Sequence, residues 1–345
     1  MAETAEPLIQ QPDTQEAPAG LGANKTLTTA TLVDRVLLIC ALVSLPIMIL
    51  VPLHATGYWM NLLTQLFIFA ILASAWNLIG GYTGYAAFGN VAFFGGGAYV
   101  TAELMTRSGW GFFPAAIAGG VMMLLYGALV GLPVLRLRGH YFAIATLGVA
   151  IATRELTNNL AIFGASQPVN LPLKNAPNLF YYVALGLLVL SIILTYIIAR
   201  SKLGYGLAAI RENEDAALVM GINTTLYKVV AFSLNAMLCG LAGGIYAYWH
   251  STIDPPTVFD LTTNVRLIIF AVLGGIGTPL GPVLGAVVLT GIQETLWRNF
   301  TNLHAVLFGA SIVVVVLLMP RGIVYLIRQK FSWRVFVRNL RQYRV

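Results

Sequence analysis

The chain has 345 residues, of which 58% are hydrophobic and only 10% charged, and its mean hydropathy is +0.80. An ordinary soluble domain carries about 25% charged residues, so this composition excludes a soluble enzyme, a nucleic-acid module and a disordered chain. The net charge of +7 comes from basic residues that flank apolar runs, which marks membrane topology and membrane lipid rather than nucleic acid as the surroundings.

Residues 1–31 are rich in Pro, Gln, Glu, Thr and Ala and lack the basic start and apolar block of a signal peptide. They are expected to form a disordered N-terminal tail. Val36–Ala102 then holds no Asp, Glu, Lys or Arg in 67 residues, enough for three crossings at about 20 residues each. Val36–Leu53 and Trp59–Ile79 are the first two, and a Gly-rich third covers Ala86–Leu104. Span four is expected at Phe112–Leu135, five at Tyr141–Asn158, six at Leu179–Ala199, seven at Val229–Trp249, and the last at Leu303–Met319. Residues 32–320 therefore form one all-α transmembrane domain, with a polar loop at 200–228 and a basic tail at 321–345.

Lys/Arg placement sets the orientation. Fifteen basic residues fall on one side: Lys25, Arg35, Arg136, Arg138, Arg200, Lys202, Arg211, Lys228 and the seven after Met319. Arg107, Arg154, Lys174, Arg266 and Arg298 fall on the other. The first side, with both termini, is assigned to the cytoplasm. Tyr58, Trp59, Trp110, Tyr181, Tyr182, Trp249 and Trp297 are expected as interface anchors at the outer ends.

Between spans seven and ten, parity requires Leu267–Trp297 to cross twice or not at all. Its 31 residues reach about 46 Å as helix, short for two crossings of a roughly 30 Å core. With the breaker string GGIGTPLGP at Gly274–Pro282, it is either two short broken helices or a re-entrant hairpin. The expected total is ten spans, or eight plus the hairpin. Ten would divide five and five, and an odd number per half gives an inverted repeat.

Chemistry-bearing clusters are sparse. No G-x-x-x-x-G-K-[ST] phosphate loop, H-E-x-x-H or G-x-S-x-G string is present. The two cysteines, Cys40 and Cys239, lie far apart in apolar runs, and His54, His140, His250 and His304 are scattered. No catalytic residue, metal site or cofactor is expected on this chain. Glu103, Arg154, Glu155, Arg266 and Glu294 lie near span ends rather than at mid-membrane, which disfavours an ion-driven carrier. Asn77, Thr83, Asn90, Thr146 and Asn235 lie at membrane depth, where polar groups either bond between helices or face a path. Phe93, Phe94, Tyr99 and Tyr141 are apolar candidates for its wall. Gly84, Gly89 and Gly95–Gly97 allow either close helix packing or a gap.

The longest polar stretch between spans is SKLGYGLAAIRENEDAALVMGINTTLYK (Ser201–Lys228). Within it Ile210, Ala217 and Met220 are placed on one face of a helix, with charges opposite. A solvated loop helix and a helix docking into a partner both fit that pattern.

The string DAALVMG (Asp215–Gly221) resembles the E-A-A-x-x-x-G motif of ABC importer permeases, with Asp for Glu. NLIGGYTGYAAFGNVAFFGGGAYV (Asn77–Val100), RLRGHYFAIATL (Arg136–Leu147), LGYGLAAIRENEDAA (Leu203–Ala217), VLGGIGTPLGPVLGA (Val272–Ala286) and MPRGI (Met319–Ile323) follow in register. Together they resemble the branched-chain amino acid importer permeases, LivM type rather than LivH type. The chain departs from that pattern at Asn90, where His is usual, and at Tyr85, Ala86 and Ala87, positions that bear on substrate choice.

The resemblance implies a type II ABC importer permease fold. It implies a second, LivH-like permease, two ATPase subunits that bind ATP and Mg, and a periplasmic substrate-binding protein. It makes Arg211, Glu212, Glu214, Asp215, Ala216, Ala217 and Gly221 the coupling segment that meets the ATPase. Leucine, isoleucine or valine is the implied solute, with urea, amides or aromatic acids as alternatives. A self-sufficient secondary carrier, or a polytopic membrane enzyme, is the competing expectation from other classes.

Overall fold

The computed structural model describes residues 43–53, 57–160, 167–172, 176–299, 306–310, 313 and 322–328. The expected N-terminal tail, most of the last span, most of the basic tail, Cys40, His54 and His304 lie outside them. The described residues are helical apart from connecting segments and a two-residue antiparallel pairing, Val169–Asn170 with Thr252–Ile253.

The apolar runs become helices in the expected order. They are α1 (Val43–Leu53), α2 (Gly57–Gly81), α3 (Asn90–Thr106), α4 (Phe112–Val134), α5 (His140–Asn159) and α6 (Pro177–Arg200). Two short helices follow, α7 (Lys202–Glu212) and α8 (Glu214–Val219). The rest are α9 (Thr224–His250), α10 (Pro255–Val258), α11 (Leu261–Gly275), α12 (Gly281–Asn299) and α13 (Ile323–Arg328). Among the described residues, α2, α4, α6, α9 and the combined Pro255–Gly275 stretch are long and apolar enough to cross a membrane.

Burial separates central from peripheral helices. α2 is apolar all round, as a helix enclosed by others must be, and Leu66–Trp76 is buried except at Phe69. α6 buries Phe180, Ala184, Leu188, Ser191 and Thr195 at helical spacing. Its opposite face exposes Tyr182, Leu190, Ile193 and Ile197. An outward face of large apolar side chains suits lipid, not water.

The centre is built by close approach of α3, α4 and α9. A Cβ on Gly97 would lie 2.3 Å from the Gly240 carbonyl oxygen, and one on Gly243 only 1.9 Å from that of Phe94. Backbones meet here because neither helix has a side chain between them, the small-residue contact of membrane helices.

Several boundaries differ from expectation. The third helix begins at Asn90 rather than Ala86, because α2 ends in a π-helical turn, Asn77–Gly81, and Tyr82–Gly89 runs on without helix. Buried irregular backbone needs internal partners. The Trp76 indole donates to the Ala87 carbonyl (2.8 Å), the Phe88 N–H to Thr146 Oγ1 (3.0 Å), and the Asn90 N–H to Asn264 Oδ1 (3.1 Å).

Tyr181 is not an interface anchor but a fully buried residue whose hydroxyl donates to the Met48 carbonyl (2.7 Å). Leu267–Trp297 is two helices broken at residues 276–280, inside the expected breaker string.

Candidate functional site

The polar stretch after α6 is two helices rather than one. Asn213 separates them, with extended backbone and a side chain whose Oδ1 accepts from the N–H groups of Asp215 and Ala216, both at 3.0 Å. Asn and Asp are strong N-caps, and here the cap starts α8 with Glu214 and Asp215 in its first turn.

α8 is closed two residues past its end by Gly221, whose φ of +84° is one that side-chain-bearing residues rarely adopt. The Gly221 N–H bonds the Leu218 carbonyl and the Ile222 N–H bonds that of Ala217, both at 3.0 Å. This is a Schellman-type ending, and it is the physical reason for glycine at the last position of the motif.

The end of α8, rather than the break at Asn213, changes which side chains face inward. Ile210 and Ala217 are buried as expected. Met220 is not: it is 81% exposed, beside Val219 at 87% and Leu218 at 48%. The tip of this polar segment thus presents three consecutive apolar side chains outward. Glu212 and Ala216 are also exposed.

Glu214 anchors the segment to the helix bundle. Lys228, on the first turns of α9, is 2% exposed. Its Nζ donates to Glu214 Oε1 (2.6 Å), the Leu135 carbonyl (3.0 Å) and the Tyr85 hydroxyl (3.3 Å). The Tyr85 hydroxyl donates to Glu214 Oε2. Arg138 reaches the same acids from the α4–α5 turn, at 2.9 Å from Asp215 Oδ1 and 3.8 Å from Glu214 Oε2.

Burial works to raise the Glu214 carboxyl, but the bonds from Lys228 and Tyr85 and the charges of Lys228 and Arg138 outweigh it. The carboxyl is held below the usual carboxylate range. Burial, and then the bond to Glu214, push the Tyr85 phenol well above its ordinary value. A buried charge needs such a full set of partners.

Arg211 turns toward its own chain. Its Nη1 donates to the Gly81 carbonyl (2.8 Å) at the end of the π-turn. Asn77, in the same turn and fully buried, accepts from the Gly277 N–H (2.8 Å) and donates to the Thr278 carbonyl (2.9 Å). Residues expected separately as coupling and path positions therefore meet where both helix breaks lie.

The other path candidates are enclosed. Asn90 and Asn235 exchange amide bonds at 2.9 and 3.2 Å beside Cys239. Thr83 bonds the Ile79 carbonyl (2.5 Å) and Thr146 that of Ala143 (2.9 Å). Phe93 packs edge-on to Phe232 and Tyr126, Phe94 to Tyr246, and Tyr99 stacks on Phe259. Tyr141 is apart from them, 74% exposed on α5.

Lys228, Asn213, Asn264 and Thr278 were not singled out from the sequence. Thr278 lay inside the breaker string and Asn213 and Lys228 inside the polar stretch Ser201–Lys228, which were their only signals.

Residues 58–316 match the model of the branched-chain amino acid transport system permease component family. The chain belongs to this family. It is of the LivM type. It is 29% identical over 306 residues to the high-affinity branched-chain amino acid transport system permease protein LivM of Salmonella typhimurium, covering 79% of this chain and 71% of the relative. It is 28% identical over 313 residues to the Escherichia coli K12 LivM protein, covering 81% and 73%. The LivH permease protein of the same Salmonella strain matches at 28% over 176 residues, 50% of this chain and 55% of its own. These are transport permease components, not enzymes. No solved structure matches.

Proposed function

We propose that this chain is one permease subunit of an ATP-driven importer that carries leucine, isoleucine, valine or a related small solute into a bacterial cytoplasm. A LivH-like permease completes the membrane unit. Two separate ATPases bind ATP and Mg, and a periplasmic protein delivers the solute. Ten spans in a five-plus-five inverted repeat, with both termini cytoplasmic, complete the proposal.

The observation that carries it is the built tip at Leu218–Met220. An exposed apolar triplet on a polar segment is stabilised when a partner covers it. A capped, six-residue helix bound to the bundle through Glu214 presents it in a fixed place. This is what a permease needs if motion of a separate ATPase is to reach its helices. The family match supports the same reading.

Translocation then requires the helices to part. Asn77, Thr83, Asn90, Phe93, Phe94, Tyr99, Thr146 and Asn235 are all at most 4% exposed. A solute meets them only in another conformation, as alternating access demands. Tyr141, on the open face of α5, is the path candidate already accessible.

The test is uptake by proteoliposomes holding the two permeases and two ATPases, with binding protein outside and ATP inside. Binding protein titrated with leucine, valine, urea and benzoate names the solute. ATP-dependent accumulation supports the proposal. Accumulation by this chain alone, driven by an ion gradient, refutes it in favour of a secondary carrier.

A further inference from the structure

Three stretches distant in sequence meet at one point. They are the π-turn Asn77–Gly81, the break between α11 and α12, and the end of α7. Among the described residues, two side chains hydrogen-bond across their meeting point. Asn77 presents its amide to the backbone of Gly277 and Thr278, accepting at 2.8 Å and donating at 2.9 Å. Arg211 closes over the Gly81 carbonyl at 2.8 Å.

The fit leaves no room for anything larger. A Cβ on Gly81 would lie 1.9 Å from Asn77 Oδ1 and 2.8 Å from the Gly277 nitrogen. One on Gly277, whose φ is +74°, would lie 3.0 Å from Arg211 Nη1. The break is stiff in itself. The Thr278 hydroxyl donates to the Gly275 carbonyl (2.8 Å) and accepts from the Gly281 N–H (3.1 Å).

A carboxamide, with an acceptor and a donor on one planar group, satisfies both groups on the loop. A carboxylate at position 77 would set an acceptor against the Thr278 carbonyl, and an aliphatic side chain would leave an N–H and a C=O buried without partners.

We infer that Asn77 and Arg211 are positioning residues for transport, a clasp that makes the two helix breaks move as one body with α7 and α8. This rests on the importer reading above and names the route by which motion at the tip enters the bundle. Glu214 and Lys228 tie the same segment to α9, and the clasp delivers its displacement to the ends of α2 and α11.

The test uses the reconstituted transporter with both permeases, both ATPases and binding protein. Solute accumulated per ATP hydrolysed is measured for wild type, Asn77→Asp, Asn77→Ala, Arg211→Gln and the Asn77→Ala/Arg211→Gln pair. Spin labels at positions 212 and 276 report the distance between α7 and the break with and without ATP. Wild type keeps that distance through the cycle. Each variant lets it change, and the solute-to-ATP ratio falls about tenfold, a typical coupling magnitude, while assembly and ATP hydrolysis persist. The pair is no worse than the worse single variant, because both remove one link.

An unchanged ratio and distance in the variants, with wild type active, overturns the clasp and leaves the importer standing. Absence of ATP-driven uptake in wild type overturns the importer itself. If Asn77 variants do not accumulate, Arg211→Gln, at an exposed residue, decides the same question by both readouts.

Discussion

The α3–α9 crossing and the Lys202–Val219 segment are held by opposite means. At the crossing, glycine backbone lies against backbone, and a single added Cβ would sit at 1.9 to 2.3 Å from a carbonyl oxygen. In the segment, a few charged or amide side chains make the attachment, and one apolar edge stays open. Packing of the first kind is broad and indifferent to direction. Attachment of the second kind acts at points. A bundle that must be moved needs both, a body that does not deform and a handle fixed to it at few places.

The largest effect is expected at the crossing. Gly97→Leu forces α3 and α9 apart and is expected to cost more than about 3 kcal/mol, at the upper end for overpacking. Folded protein recovered in detergent, followed by size-exclusion profile, reads it. A monodisperse variant with unchanged thermal midpoint would break the contrast between body and handle.

Lys228→Met comes next. It removes the closest cationic partner of the largely buried Glu214 carboxylate, leaving the more distant Arg138, and removing one partner of such a pair costs roughly 3 kcal/mol. Lys228→Met combined with Glu214→Gln recovers part of the loss, as a thermal-midpoint cycle will show.

A smaller effect sharpens the role of Glu214 through pH. Its folded pKa lies below the ordinary carboxylate value, so its contribution is full above the unfolded value of about 4.3 and fades as pH falls through the lower folded one. The midpoint difference between wild type and Glu214→Gln is therefore constant near neutrality and narrows in acid. A difference that widens in acid contradicts the assignment.

The smallest effect belongs to Arg138→Gln. Arg138 and Asp215 are both mostly exposed, and exposed pairs contribute little and are screened by salt. A midpoint shift close to experimental error, vanishing in high salt, is expected.

The same contrast explains what was legible in the sequence. Helices α2, α4, α5, α6 and α9 were found within a few residues because apolar runs and flanking charges set them directly. Gly95–Gly97, on the α3 side of the crossing, were legible as a cluster with close packing as one of two readings, whereas Gly240 and Gly243 of α9 were not singled out. Asn77 was legible as a polar residue at depth, but its partner, the loop at Gly277–Thr278, lies 200 residues away, beyond any local pattern. The start of α3 was missed because a π-turn and a non-helical segment keep the same apolar composition as a helix. Met220 was misplaced because α8 stops at Val219: Met220 is its C-cap residue, and Gly221 turns the chain away just after it. The pairing of Lys228 with Glu214 and Tyr85 is tertiary, and no spacing announces it.

The central claim is that Leu218–Met220 is the surface through which separate ATPases act on this permease. It is tested most directly by copurification from native membranes in mild detergent, comparing the tagged wild-type chain with Val219→Asp/Met220→Asp. Wild type is predicted to bring down a second permease and two ATPases. The variant keeps the second permease and loses the ATPases. Full recovery of the ATPases by the variant, or a wild-type chain that purifies alone and moves solute without ATP, would contradict the account.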